Sequence, residues 1–440
     1  MISSIKRFDD LSLAMSDFVK KHKNRADDII VFHESSVMFY GNIKDRMIDS
    51  IYSIEKDLFF VKVWIGNRKG VVLSSFLSDK LFDDALIIAK NGPEMSYHHG
   101  IPENAKYEIL KNFSEDVLCY DTDKVSKELE SALKFFDKLK KKHDEPEMRL
   151  SEAKVSYGIN LAEIFTSNNN HGIHKSTIST ADVSVGSRDI VFSDDLISVE
   201  PVNFYSLIEK TFERALLYSG DRKALSDFSF GHVVFSPETM NELLNYGFLP
   251  NLISSNIERQ RSRFSFSDLR KFEFGKKFSL SDIGDDNSSP VSMPFDLDGS
   301  KASFTKLVDS GRLLGCVSDY DSAKHNGFLP TGNASFTEPS FSTVHFSYDF
   351  NPIKTFIVIE SISGAHSSDY MSGGFSVLVN SAYYTDGNSK VPLRPFMINS
   401  NMIDLLNNIC SMDRRKVKNT GNVVLGSCAF PKESMSLTEL

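Results

Sequence analysis

Residues 124–142, KVSKELESALKFFDKLKKK, constrain the fold more than any other stretch of this chain. Val125, Leu129, Leu133, Phe136 and Leu139 recur at helical spacing on one face, and the opposite face is charged. Such a stripe needs a partner surface, because packing rather than propensity holds most helices. The surrounding sequence predicts a sheet as that partner. Residues 28–32 and 36–40 read as two strands with Gly41-Asn42 as a turn. Residues 58–65 (LFFVKVWI) read as a strand that returns through Gly66-Asn67 and Gly70 into 70–74. A helix is predicted over 79–90, then an irregular connection over 91–120 with Pro93 and Pro102. After the 124–142 helix, strand patterns resume at 154–160, 161–166 and 176–185. A hairpin-plus-helix unit is therefore expected twice, over about 25–90 and 115–218, within one layered α/β domain of residues 1–218.

The second half reads differently. A helix over 204–218 is followed by a short strand at 233–235. Ser236 can cap the next helix, with Pro237 at its first position and Glu238 to Asn245 continuing it. From about residue 281, short strands alternate with Gly, Ser, Asn and Asp, which predicts a β-rich, barrel-like domain over 219–440. The polar stretch SGDRKALSD at 219–227 is the expected boundary, and the class is α+β. A length of 440 residues suits two or three domains.

Composition excludes several functions. The formal charge of −9 weighs against generic nucleic-acid binding, which needs a net basic face, and leaves room for a local basic patch. No run of about 18 apolar residues is present, so no membrane helix is predicted. The N-terminal residues lack the apolar core of a signal peptide. Cys119, Cys316, Cys410 and Cys428 are scattered without CxxC spacing, as in a reducing cytoplasm. Thirty-five Phe beside one Trp predict a Phe-packed interior or interface.

Chemistry-bearing motifs are few. His98-His99 and His171-x-x-His174 are the close histidine pairs, the latter within a turn-like SNNNHGIHKS. Neither supplies the three ligands a catalytic zinc needs, and no HExxH is present. No G-x-S-x-G elbow or phosphate loop occurs. Cys316 reads as a core thiol, and Gly373-Gly374 as a turn entering a strand. Asp296 and Asp298 in D-x-D-G would share a face on a strand, or form a polar turn. Arg312, His325 and Asn333 lie in successive loops between apolar strands and are candidates for the wall of a peptide groove. No catalytic or metal-binding residue is predicted in this chain.

Six pieces taken together carry a resemblance. They are GNRKGVVLSS, SNNNHGIHKS, VVFSPETMNELL, PFDLDGSKASFTKLVDSGRLLG, LPTGNAS and PFMINSNMIDLLNNICSMDRR, colinear from about residue 28 to 430. In this order the chain resembles the TldD/PmbA family of zinc-dependent proteases, which includes proteins named as modulators of DNA gyrase. The resemblance implies heterodimers of two kinds of chain. TldD-like chains carry an HExxxH helix after the VVFSPE-type strand, with a C-terminal cysteine as a further zinc ligand; TldE/PmbA-like chains lack it. Here Asn245 and Pro250 stand at the histidine positions and Tyr246 at the glutamate. A proline ring offers no donor, and tyrosine is a poor base at neutral pH. Cys410 lies near the cysteine region. The resemblance thus implies a non-catalytic TldE/PmbA-like subunit, without its own cofactor, beside a zinc-bearing TldD-like partner. Together they would hydrolyse unfolded or short peptides, with dimer contacts in the β-rich half. A homodimeric peptide-binding scaffold is the alternative, and an independent hydrolase using His325 with Asp321 or Asp319 a third reading.

Overall fold

The amphipathic stretch is a helix, and a sheet covers its stripe. The computed structural model describes residues 2–187 and 190–440. The chain opens with helix α1 (Ile2–His22), strands β1 (Asp28–Lys44), β2 (Met47–Ile65) and β3 (Arg68–Ser74), and helix α2 (Asp79–Asn91). Helix α3 (Thr122–His143), strands β4 (Arg149–Thr166), β5 (His171–Ser187) and β6 (Ile190–Ser198), and helix α4 (Phe204–Leu217) follow. The strands form one antiparallel sheet in the order β3-β2-β1-β4-β5-β6, with Ser36 of β1 opposite Asn160 of β4 at its centre. A helix, three strands and a helix therefore occur twice, joined through their first strands.

Strand alternation assigns the two faces. Odd-numbered Ile29 and Val31 of β1 pack with Met15 and Phe18 of α1 and Phe82 of α2. Ile43 of β1 and Val155 and Tyr157 of β4 pack with Val125, Leu129 and Phe136 of α3 and Phe212 of α4. Both helix pairs thus lie on one face. Even-numbered Ile30, Phe32 and Ile164 face the other way with Phe60 and Trp64, where Ile101 and Phe295 cover them.

Several local expectations need correction. Residues 28–40 are one strand that continues through Gly41-Asn42; the chain reverses at Asp45 and Arg46, both with positive φ. Gly41 is required for helix packing instead: a Cβ there would sit 2.5 Å from Val125 Cγ1. Residues 154–166 are likewise continuous in β4. HGIH is strand, not turn, because the reversal lies just before it and β5 begins at His171. By contrast, Asp296 and Asp298 form the polar turn that the sequence favours: Asp296 Oδ1 accepts from the backbone N–H groups of Asp298 and Ser300 at 2.9 and 2.8 Å.

The second half contains strand β7 (His232–Phe235) and helix α5 (Pro237–Gly247). Ser236 caps α5, its Oγ accepting from Thr239 N at 3.2 Å. β7 lies between the strands Cys428–Pro431 and Phe356–Ser363 of an eight-stranded sheet. A further six-stranded sheet includes Ser279–Ile283, Phe304–Asp309, Val344–Ser347 and Val423–Leu425. Both sheets and α5 share one core, in which Val233, Phe235, Met240, Leu243, Leu280, Val308, Val344 and Ile357 are buried. Much of the phenylalanine is spent here: Phe264, Phe272, Phe274 and Phe278 form successive edge-to-face contacts at 4.9–5.1 Å. No described helix is long and apolar enough to cross a membrane.

Candidate functional site

Helix α5 ends where the resemblance puts a metal-binding motif. Asn241 and Asn245, one turn apart, both point away from the buried Leu243–Leu244 side. Asn245 Nδ2 donates to Asn241 Oδ1 at 2.7 Å and to Asn422 Oδ1 at 3.1 Å. Asn422 Nδ2 donates back to Asn245 Oδ1 at 2.9 Å, and Asn241 Nδ2 donates to the Thr420 carbonyl at 3.1 Å. The three amides close on one another. Tyr246 is 48 % exposed, and Pro250 falls beyond the helix end, in the turn Leu249–Leu252, where its carbonyl accepts from Asn256 Nδ2 at 2.9 Å. These residues do not fit zinc: amide oxygens are weak ligands for it, and here they are already engaged. Among the described residues no three His, Cys, Asp or Glu side chains converge as a metal-binding group.

Cys410 does not face this helix. It packs with Val234, Val358 and Ala429, on the face of the eight-stranded sheet opposite α5. Its Sγ donates to the Ala429 carbonyl at 3.2 Å, and burial raises the thiol above its usual range. Asn422 is the residue that meets Asn245; it lies 177 positions away, and no local motif marks it.

A cavity of about 760 Å³ lies between the first sheet and the second half, with Trp64 on one side and His325 on the other. His98, in the connection between α2 and α3, links the two sides. Its Nε2 bonds Asp28 Oδ2 and its Nδ1 bonds Asp321 Oδ2, both at 2.9 Å. Burial pulls its pKa down, but the hydrogen bonds and charges of the two carboxylates outweigh this and raise it to about 9. Lys62 Nζ holds Asp298 Oδ1 at 2.7 Å, and the Lys62 charge keeps Asp298 below its ordinary range despite burial. Asp319 is pushed up to about 6, first by burial and then by the charge of Asp298.

The three groove candidates are distributed as follows. His325 lines this cavity and stacks on Tyr97 at 3.9 Å between ring centroids. Asn333 is buried; its Nδ2 donates to Asp282 Oδ2 at 2.7 Å, and it lines a separate cavity of about 260 Å³ beside Phe32 and Phe60. Arg312 is exposed, with Nε donating to the Arg270 carbonyl at 2.8 Å. The structure does not gather the three in one cavity. The other histidines are also dispersed: His174 is buried and lowered to about 4, whereas His171 bonds Glu163 Oε1 at 2.7 Å. Tyr97, Glu258, Asn241 and Asn422 were not marked by sequence, because their partners are distant along the chain.

Residues 231–436 match the PmbA/TldA metallopeptidase C-terminal domain. Over these residues the chain carries the C-terminal domain of that family. The α+β fold is shared with solved structures over nearly the full chain. TldE from Thermococcus kodakarensis superposes with a TM-score of 0.85 over 97% of this chain and 100% of that one, at 14% identity. TM0727 from Thermotoga maritima, named for a proposed role as modulator of a DNA gyrase, gives 0.82 over 96% and 98% at 15% identity. In sequence, the uncharacterized protein MJ0231 of Methanocaldococcus jannaschii is 24% identical over 412 residues, 86% of this chain and 96% of its own.

Proposed function

We propose that this chain is the non-catalytic, TldE/PmbA-like subunit of a cytoplasmic heterodimeric zinc metalloprotease that degrades or processes unfolded and short peptides. The observation that carries this reading is the Asn241–Asn245–Asn422 amide network at the end of α5. Where a TldD-like chain is expected to offer histidines and a glutamate, this helix offers amides bonded to each other. The hydrolytic step, attack of metal-activated water on the peptide carbonyl, then belongs to a partner bearing HExxxH. This chain contributes walls and selectivity to a shared peptide chamber. The name of the Thermococcus relative supports the assignment to this branch. The reading treats residues 1–218 and 219–440 as two units, with the partner docking on the β-rich one.

The test is assembly. Purified chain mixed with a TldD-like HExxxH protein from the same source should elute as a 1:1 complex in size-exclusion chromatography with light scattering. Two separate species at micromolar concentrations would contradict the proposal.

A further inference from the structure

Strand β2 leaves part of one edge without a neighbour. β1 pairs with it along its whole length, but β3 pairs only from Phe59 to Ile65. Residues 51–56 therefore have no strand beyond them among the described residues. Over this stretch the register with β1 is unbroken, from Gly41 opposite Ile51 to Ser36 opposite Lys56. It contains no proline, and residues 52–56 are exposed one after another. In an antiparallel strand, alternate residues aim their backbone N–H and C=O groups to opposite sides. Those of 51–56 that point outward meet no backbone partner among the described residues. A regular open edge of this kind is a template for another strand.

The same edge offers a surface for side chains. Tyr52 stacks on Tyr40 at 5.0 Å between ring centroids, and Ile54 lies opposite Met38. Tyr52 and Ile54 are 46% and 44% exposed. Both lie on the even-numbered face, which they share with Phe60, packed near Phe295 of the second half. That face runs past Leu58 to the cavity of about 260 Å³, lined by Phe32, Phe60, Val291, Met293 and Phe341. Glu34, exposed and opposite Leu58, also lines it. An open edge beside an apolar pocket suits an extended peptide, with main-chain bonds along the edge and an alternate side chain in the pocket. The pocket takes an aliphatic or aromatic side chain, and Glu34 disfavours an acidic one. A second copy fits less well. Two-fold antiparallel pairing about Ile54 would run its residues 47–49 into β3, where Ser74 already pairs with Phe59.

We infer that residues 51–56 of β2 bind an extended peptide by strand addition, with one apolar side chain of that peptide in the Phe32–Phe60 cavity. That the occupant is a peptide substrate rests on the subunit reading above. Binding requires neither the partner nor hydrolysis, so its failure would leave that reading to its own assembly test.

The intact chain would be titrated into fluorescein-labelled Thr-Val-Thr-Val-Thr-Leu-Thr amide and followed by fluorescence anisotropy. Binding should saturate. The analogue N-methylated at every residue keeps the side chains but loses the backbone donors, and should bind at least about tenfold more weakly. Replacing the peptide's Leu by Glu should weaken binding about fivefold or more. Val291→Glu in this chain should do the same; Val291 is 45% exposed, so circular dichroism should stay unchanged. Hydrogen exchange should show peptide-dependent protection in residues 51–56. No saturation, equal binding of the N-methylated or Glu-bearing peptide, protection confined to other segments, or full binding by a folded Val291→Glu variant would each overturn the proposal. Protection of 51–56 that instead rises with protein concentration, alongside a dimer in light scattering, would assign the edge to a second copy and overturn it as well.

Discussion

Asn245 and Asn422 are joined amide to amide, each donating from Nδ2 to the other's Oδ1, at 3.1 and 2.9 Å. The pair ties the end of α5 to the segment entering the strand Val423–Leu425. That strand pairs in parallel with Val344–Ser347, so the amides also fix how the six-stranded sheet meets the helix.

The pair should show energetic coupling. Asn245→Ala and Asn422→Ala are each expected to cost about 1–2 kcal/mol, since each leaves a half-buried amide without its partner. The double variant should cost less than the sum, with a coupling of about 1 kcal/mol. Urea unfolding of the four proteins measures this, and additive losses would show that the two amides act independently.

The first sheet makes a backbone-limited prediction. Gly70 lies where β3 passes under α2, and a Cβ there would stand 1.8 Å from the Ala85 carbonyl oxygen. Backbone cannot rotate aside as a side chain can, so strand and helix must separate. Gly70→Ala should destabilise by about 3 kcal/mol or more, whereas Gly220→Ala, with open space around it, should change stability by less than about 1 kcal/mol. Thermal unfolding of the two variants compares them directly.

Much of this fold was legible because its signals are local. The stripe of Val125, Leu129, Phe136 and Leu139 lies within one helix, and Ser236-Pro237 is a cap and first turn in adjacent residues. The errors came where a residue type serves a distant purpose. Gly41 looked like a turn glycine but makes room for α3, while the true reversal uses Asp45 and Arg46, which carry no such signature. The site was legible only in what α5 lacks. Asn422 meeting Asn245, and Tyr97 meeting Glu258 across 161 positions, are tertiary facts with no local trace.

His98 makes stability depend on pH. Its folded-state pKa of about 9 lies above the ordinary value of 6.5, so the folded protein holds a proton that the unfolded chain releases. The resulting stabilisation is fully present below about pH 6.5 and is lost as pH rises through 9. His98→Gln should therefore cost roughly 2–3 kcal/mol at pH 6.5 and less than about 1 kcal/mol near pH 10. Denaturant unfolding of both proteins from pH 6 to 10 measures the difference, and a pH-independent gap would contradict the assignment of charge to the Asp28–His98–Asp321 bridge.

The most direct test of the non-catalytic reading is reconstitution with metal accounting. This chain, a TldD-like HExxxH protein and their mixture would each be assayed for cleavage of an unstructured peptide, with and without chelator, and for bound zinc. The account predicts no stoichiometric zinc and no cleavage by this chain alone, and chelator-sensitive cleavage by the mixture that exceeds that of the HExxxH protein alone. One zinc per chain together with chelator-sensitive cleavage by this chain alone would contradict it.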